Sequence, residues 1–137
     1  METLTHWIAG ESVESTSGRF FPVYNPATGE QIARTALATA EEVDRVVAVA
    51  TEAAAAWRAT SLSRRTQVMF RFRDLVDANR DLLAETLTRE HGKVLSDSMG
   101  EINRGLENIE YACGVPQLLK GEYSEQAATS LDVYSIR

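Results

Sequence analysis

The spacing of the apolar residues changes at Thr39, and this change divides the chain into an extended region and a helical region. Before Thr39, short apolar runs alternate with turn-forming residues; after it, apolar residues recur every three or four positions. The segment Thr39-Ala40-Glu41-Glu42 fits a capping box, in which the threonine hydroxyl and the glutamate carboxylate each accept a backbone N–H of the other residue. The sequence therefore predicts strands and turns up to about residue 37 and helices from residue 40 onwards.

The extended region contains recognisable turns. Ala9-Gly10-Glu11-Ser12 is flanked by Trp7-Ile8 and Val13, which predicts a hairpin. Pro22 lies within a second apolar run and predicts an edge strand, because proline has no N–H to donate to a neighbouring strand. The predicted elements are a hairpin at 7–13, a strand at 20–24, a turn at Asn25-Pro26-Ala27-Thr28-Gly29-Glu30 and a strand at 32–37.

Four helices are expected in the second region. The first starts after Thr39, the second at Ser61 or Ser63, the third after Asn79-Arg80-Asp81, and the fourth at Ser96 or Asp97. Gly92 is placed like the left-handed glycine that follows a helix. The expected inward residues are Val43, Val46, Val47, Ala50, Ala54 and Trp57 in the first helix, Leu62, Met69, Phe72, Leu75 and Val76 in the second, and Ile102, Leu106, Ile109 and Cys113 in the fourth. A strand is expected at 131–137.

Charge and cysteine content narrow the class of function. The chain has 14 Lys+Arg against 20 Asp+Glu, a net charge of −6, and no basic stripe. Binding to nucleic acid or to a membrane surface is therefore disfavoured. No apolar run has the length of a membrane span, and the first residues resemble neither a secretory signal nor a transit peptide. With a single cysteine, Cys113, these features predict a cytoplasmic protein.

The residues offer no recognisable catalytic, metal or cofactor site. No two of the eight glycines are spaced Gly-x-Gly, so no dinucleotide-binding fingerprint is present. His6, His91 and Cys113 lack the spacing of metal ligands. Cys113 lies four residues after Ile109 and is interpreted as a packing residue rather than a nucleophile. Catalytic, cofactor-binding and metal-binding residues are all expected to be absent from the chain.

Arg104 is the polar residue with two open interpretations. It could be a helix-surface arginine that pairs with Glu101, Glu107 or Asn108, three or four residues away. It could instead be held by its helix so that its guanidinium grips a carboxylate through two parallel hydrogen bonds. The residues alone favour the first interpretation.

The order of several motifs resembles the aldehyde dehydrogenase superfamily from about residue 6 to the end. These motifs are Trp7-Ile8-Ala9-Gly10-Glu11, Asn25-Pro26-Ala27-Thr28-Gly29-Glu30, the helix from Thr39 to Trp57, and Glu90-His91-Gly92-Lys93. Gly100-Glu101-Ile102-Asn103-Arg104-Gly105-Leu106-Glu107 and Leu131-Asp132-Val133-Tyr134-Ser135-Ile136-Arg137 resemble its CoA-acylating methylmalonate-semialdehyde dehydrogenases.

The resemblance implies an α/β parent enzyme that uses NAD and CoA and assembles as a homo-oligomer, with a tetramer expected. In it, residues 1–122 would be the N-terminal helical and hairpin segment of the NAD-binding domain, and 123–137 the start of the oligomerisation strands. The chain itself would be mostly α-helical, with a hairpin region first and an edge strand last.

The resemblance also gives Arg104 a role and leaves alternatives open. The subfamily has a substrate-binding arginine at this motif position, so Arg104 would bind the carboxylate of malonate or methylmalonate semialdehyde. The catalytic cysteine, the general-base glutamate and the NAD-binding residues would lie beyond residue 137, and the chain alone would be inactive. The alternatives are a segment of an ordinary NAD(P)-dependent aldehyde dehydrogenase that releases a free acid, and a non-catalytic helical domain that binds a protein.

Overall fold

The computed structural model describes residues 1–137 as three small sheets and five helices. The strands are β1 (Glu2–Leu4), β2 (His6–Ile8), β3 (Glu11–Val13), β4 (Phe20–Tyr24), β5 (Gln31–Ala36), β6 (Tyr123–Ala128) and β7 (Leu131–Tyr134). The helices are α1 (Ala40–Ala59), α2 (Leu62–Ala78), α3 (Arg80–His91), α4 (Leu95–Cys113) and the single turn α5 (Val115–Leu118). The mostly helical fold with strands at both ends matches the prediction.

The N-terminal strands confirm the predicted turns. β2 and β3 form an antiparallel hairpin whose turn residues, Ala9 and Gly10, both have positive φ angles of 54° and 84°. The second sheet has the order β1-β5-β4, so the strand that contains Pro22 is an edge strand as predicted. β1 was not predicted from the residue pattern; it pairs in parallel with β5 from Glu2 to Leu4.

Glu42 anchors the start of α1 to the loop before β4. The predicted capping box is present, with Glu42 N–H donating to Thr39 Oγ1 at 3.1 Å and Thr39 N–H donating to the Glu42 carboxylate at 2.8 Å. The same carboxylate accepts the Thr16 N–H at 2.6 Å and the Ser15 hydroxyl at 2.8 Å. These donors, with the Thr16 amide the strongest, lower the pKa of Glu42 to about 2.

Packing between α2, α3 and α4 confirms some of the predicted helix faces and corrects others. On α4, Leu106 is buried and Ile102, Ile109 and Cys113 are half-buried, as predicted. On α2, Leu62, Phe72 and Leu75 were expected inside but are exposed, which makes that part of the prediction wrong. The half-buried residues of α2, among them Met69, Arg73 and Val76, lie on a different face of the helix, and from that face Arg73 Nε donates to Glu110 of α4 at 2.9 Å.

The start of α4 also differs from the sequence-based prediction. The helix begins at Leu95, with Val94 as its N-cap and no side-chain cap hydrogen bond, so neither Ser96 nor Asp97 is the cap. This boundary lies beside the contact between α3 and α4. Ser98 is fully buried there, and its hydroxyl lies 2.8 Å from the Thr88 hydroxyl of α3.

The apolar face of α1 has no partner within the chain. Every residue of this helix that was expected to be buried is exposed, including Val43 at 51% and Val47 at 59%. The accessible surface of the chain is 10377 Å², whereas a compact monomer of 15.1 kDa would expose about 7,100 Å². The chain thus exposes a large apolar surface.

The C-terminal residues form a hairpin that projects from the helices. β7 was expected to extend to residue 137 but ends at Tyr134, and it pairs antiparallel with β6. Ser135 N–H donates to the Glu122 carbonyl at 2.9 Å, which closes the open end of the hairpin. Arg137 donates to the Leu118 carbonyl at 2.9 Å, which ties the hairpin to α5. No helix of the structure combines the length and the apolar character that crossing a membrane requires.

The Glu42 network predicts a specific pH dependence of stability. The pKa of Glu42 is lowered in the folded chain from 4.5 to about 2, so its stabilising contribution is complete above about pH 4.5 and is lost as the pH falls towards 2. We expect the urea midpoint of Glu42→Gln to fall less than that of wild type between pH 4.5 and 2. Glu52→Gln is the control, because Glu52 is exposed on the same helix. Parallel profiles for wild type and Glu42→Gln would contradict the assignment.

Candidate functional site

Arg104 lies on the solvent side of α4, between the two turns that carry Ile102 and Leu106. Its side chain is 67% exposed. One guanidinium nitrogen, Nη1, lies 3.8 Å from the point where a Cβ on Gly100 would be, so the side chain runs back along the helix over that glycine. The backbone of Arg104 is therefore held within α4, while its guanidinium N–H groups face outwards.

Glu101 is the carboxylate next to Arg104, and it is shared with Lys93. The distance from Arg104 Nη2 to Glu101 Oε1 is 4.0 Å, at the limit of an ion pair. Lys93 Nζ makes a much closer contact with the same oxygen, and its side chain is only 16% exposed. The hydrogen bond from Lys93 is the main cause that lowers the pKa of Glu101, followed by the charges of Lys93, Arg104 and His91.

The other predicted partners of Arg104 do not pair with its side chain. The Asn108 side-chain amide donates to the Arg104 backbone carbonyl at 2.8 Å, so its partner is the backbone of Arg104 and not the guanidinium. Glu107 is exposed and makes no ion pair with Arg104. Both interpretations of Arg104 therefore stay open, since a weak i−3 pair coexists with unused donors.

The loop that carries Lys93 is held by a close approach of two backbone segments. Gly92 ends α3 with a φ of 79°, as the sequence predicted. A Cβ at this position would lie 2.8 Å from Pro26 Cγ and 2.9 Å from the Ala27 nitrogen. The Asn-Pro-Ala-Thr-Gly turn and the Glu-His-Gly-Lys segment, 60 and more residues apart in sequence, thus meet directly.

Ion pairs fix the remaining side of the α4 surface. Arg80 at the start of α3 donates to Asn103 Oδ1 at 2.8 Å, and it also contacts the Asp77 carboxylate of α2. The Arg80 guanidinium is the main cause that lowers the pKa of Asp77. Asn103 and Glu101 both precede Arg104 on α4, so the contacts from Arg80 and from Lys93 each hold a residue beside the arginine.

The structure also places Cys113, the single cysteine of the chain. Cys113 is half-buried at the last residue of α4, in keeping with its interpretation as a packing residue. Nowhere in residues 1–137 do three His, Cys, Asp or Glu side chains gather as a metal site would require.

Lys93, Glu101 and Arg104 form a charge cluster, and Lys93 is the member of it that sequence reasoning missed. It was considered only as part of a family-like motif, because it lies eight residues from Glu101, outside the spacing at which helix neighbours meet. The signal that could have revealed it is the glycine before it: a left-handed residue after α3 reverses the chain and returns Lys93 towards α4.

The comparisons with known proteins identify the class. The family model described as "Aldehyde dehydrogenase family" matches residues 12–137. The chain belongs to the aldehyde dehydrogenase family.

Within this family, the chain is similar to several semialdehyde dehydrogenases. It is 42% identical over 135 residues to a malonate-semialdehyde dehydrogenase of Pseudomonas aeruginosa, covering 98% of this chain and 27% of that protein. It is 45% identical over 130 residues to the mitochondrial, acylating methylmalonate-semialdehyde dehydrogenase of Arabidopsis thaliana, covering 95% of this chain and 21% of that protein. The chain therefore spans about a quarter of the length of these relatives.

Solved structures show the same similarity. A methylmalonate-semialdehyde dehydrogenase from Oceanimonas doudoroffii superposes with a TM-score of 0.91 at 41% identity, covering 99% of this chain and 28% of that one. A Sinorhizobium meliloti 1021 structure, described as a methylmalonate-semialdehyde dehydrogenase complexed with NAD, superposes with a TM-score of 0.85 at 44% identity, over 100% of this chain and 28% of that chain.

The contact between Gly92 and the 26–27 turn predicts an unequal cost for two glycine substitutions. Gly18→Ala places a side chain at a φ of 64° with no atom within 4 Å, so it should cost about 1–2 kcal/mol of backbone strain alone. Gly92→Ala adds a steric conflict with Pro26 and Ala27, which should cost about 1–3 kcal/mol more. Urea unfolding of both variants at equal protein concentration checks this. Equal losses would show that the turn can move away freely.

Proposed function

We propose that the chain is the N-terminal segment of an NAD-dependent, CoA-acylating malonate- or methylmalonate-semialdehyde dehydrogenase. The observation that carries the proposal is the similarity along nearly the whole chain to proteins with these names, at 42% and 45% identity. In the proposed reaction NAD⁺ accepts the hydride of the aldehyde, the carboxylate leaves as carbon dioxide, and CoA takes the acyl group.

The proposal assigns parts of the chain to domains of a longer enzyme. Residues 1–122 would form the helical and hairpin segment of the NAD-binding domain, and 123–137 would begin the oligomerisation strands. The hairpin supports this division, because its first strand starts at Tyr123 and every residue of both strands is exposed. Together with the unpartnered face of α1, it supports a homo-oligomer, which we place in the cytoplasm on the basis of the lone Cys113.

The residues of this chain do not fit an NAD site. The only parallel strand pair is β1 with β5, three residues long, and the strands between them in sequence are joined by turns rather than by a crossover helix. A dinucleotide fold needs a strand, a glycine-rich turn and a helix in succession. We therefore assign NAD, CoA, the catalytic cysteine and the general-base glutamate to residues outside this chain.

Arg104 is the residue of this chain that we assign to the substrate. Malonate and methylmalonate semialdehyde carry a carboxylate at the end opposite the aldehyde, and a guanidinium matches a carboxylate with two parallel donors. The exposed donors of Arg104, with Glu101 only at 4.0 Å, support this role.

The sequence that follows residue 137 in the source gene tests the proposal. A catalytic cysteine, a general-base glutamate and a dinucleotide-binding region should appear there. An assay of the complete enzyme then separates the candidates: formation of acyl-CoA only when CoA is present supports the proposal, whereas a free acid formed without CoA indicates an ordinary aldehyde dehydrogenase.

The isolated 137-residue chain should be inactive. We expect no NADH formation with methylmalonate semialdehyde and no saturable binding of NAD, because the residues assigned to both functions lie elsewhere. Absorbance at the NADH band and calorimetric titration with NAD check these expectations. Activity that is abolished by Cys113→Ser would overturn the proposal and make Cys113 the nucleophile.

Substitution of Arg104 should be selective for substrates with a carboxylate. Losing a charge-assisted hydrogen bond costs about 1.5–3 kcal/mol, which corresponds to a loss of kcat/KM of roughly 10- to 150-fold. In the complete enzyme, Arg104→Ala should show this loss with methylmalonate semialdehyde and spare propanal, which lacks the carboxylate. Arg104→Lys should recover only part of the activity, because a point charge cannot make the two-fold contact.

Arg58→Ala is the matched control for this measurement, since Arg58 is exposed near the end of α1 and forms no ion pair. It should leave both substrates unchanged. If the ratio of kcat/KM for the two aldehydes is the same in wild type and Arg104→Ala, Arg104 is a solvated helix residue and the carboxylate-binding role is wrong.

A further inference from the structure

Two cationic side chains at the α3–α4 junction, Lys93 and Arg104, share the carboxylate of Glu101. Lys93 Nζ and Arg104 Nη2 both face Glu101 Oε1, but Lys93 is in close contact while Arg104 is 4.0 Å away. Two cations and one anion leave one positive charge in excess. Because Lys93 satisfies the shared oxygen, the excess charge resides on the Arg104 guanidinium.

The surroundings of Lys93 explain why it, rather than Arg104, makes the closer contact with Glu101. Its side chain is 16% exposed, whereas that of Arg104 is 67% exposed, so the Lys93 contact is less screened by water. Its backbone follows Gly92, which is pressed against Pro26 and Ala27. Lys93 is therefore held at Glu101, whereas Arg104 approaches it only from the exposed side of α4.

Without Lys93, the carboxylate would be free for Arg104. The two residues are three apart on α4, a spacing at which helix side chains form ion pairs, and Glu101 has two oxygens for the planar guanidinium. An Arg104 engaged in such a pair would have to release Glu101 before it could bind another carboxylate. An internal carboxylate would thus compete with the substrate for the same donors.

We propose that Lys93 keeps Arg104 available by holding Glu101, and thereby sets the affinity of the enzyme for aldehydes that carry a carboxylate. Lys93 is a positioning residue that acts through Glu101 and does not touch the substrate. The inference rests on the proposed function, since it concerns the same arginine.

The kinetic test uses the complete enzyme with malonate semialdehyde and propanal as substrates. Lys93→Met should raise KM for the semialdehyde about 2- to 5-fold, the factor that an exposed ion pair supports, with kcat and the propanal reaction nearly unchanged. The double variant Lys93→Met/Glu101→Gln should restore the wild-type KM, because the amide no longer competes as an anion. Lys120→Met, the only other lysine change the chain offers, should alter neither substrate.

A purely structural role of Lys93 gives a different pattern. If Lys93 only ties the loop to α4, Lys93→Met should weaken both substrates equally, and removing Glu101 as well should not restore KM. Either result overturns the proposal.

A crystal structure of the substrate-free Lys93→Met enzyme provides a readout that does not depend on the substrate. We expect Arg104 Nη within about 2.7–3.2 Å of a Glu101 oxygen; a guanidinium that stays at the wild-type separation overturns the proposal. If Arg104 closes onto Glu101 but Arg104→Ala proves unselective, the proposed function has failed, and the selectivity role of Lys93 fails with it. If Arg104→Ala is selective and Lys93→Met is not, only the present inference is wrong.

Discussion

The contact between α3 and α4 is the constraint on which the rest of the helical region depends. Three of the five buried residues of the chain, Ala84, Ser98 and Leu106, belong to these two helices. Two small side chains, each with no exposed surface, let the backbones approach closely, and the Thr88–Ser98 hydroxyl pair satisfies the polar group that this approach buries. The loop between the helices is thereby short and fixed. Its conformation determines the geometry of the charge cluster, because Lys93 lies in this loop.

Outside this contact, the chain exposes more surface than a compact domain of its size would. The chain exposes about 3,300 Å² more than a compact monomer of its mass, an excess comparable to the area buried in an obligate interface. The exposed apolar side chains include those on the face of α1, on α2 and on the C-terminal hairpin, where Tyr123, Val133 and Tyr134 are each more than half exposed. An exposed apolar face of this size is stable in water only when another part of the protein, or another protein, covers it.

The sequence predicted local structure well and packing partners poorly. Caps, turns and glycine positions depend on neighbouring residues, and Thr39, the 25–30 turn and Gly92 were all found as expected. The failures concern packing: β1 pairs with the distant strand β5, and the half-buried face of α2 carries Arg73 rather than Phe72. α4 also begins at Leu95, before either of the residues that were expected to cap it. For the site, the pattern gave Arg104 and its neighbour Glu101. No helical spacing relates Lys93 to either residue, and the only signal for it in the sequence is Gly92, which ends α3 and reverses the chain.

The exposure of Arg104 also determines what it can contribute to specificity. An ion pair in water is worth about 0–1 kcal/mol, because solvent competes for both charges, whereas a charge-assisted hydrogen bond in a drier site contributes about 1.5–3 kcal/mol. At 67% exposure the guanidinium in this chain is in the first situation. A strong preference for a carboxylate therefore requires that other parts of the enzyme cover the α4 surface and exclude water from it. In the proposed enzyme, the helix would supply direction and charge, and the covering domains would supply the low dielectric that turns them into selectivity.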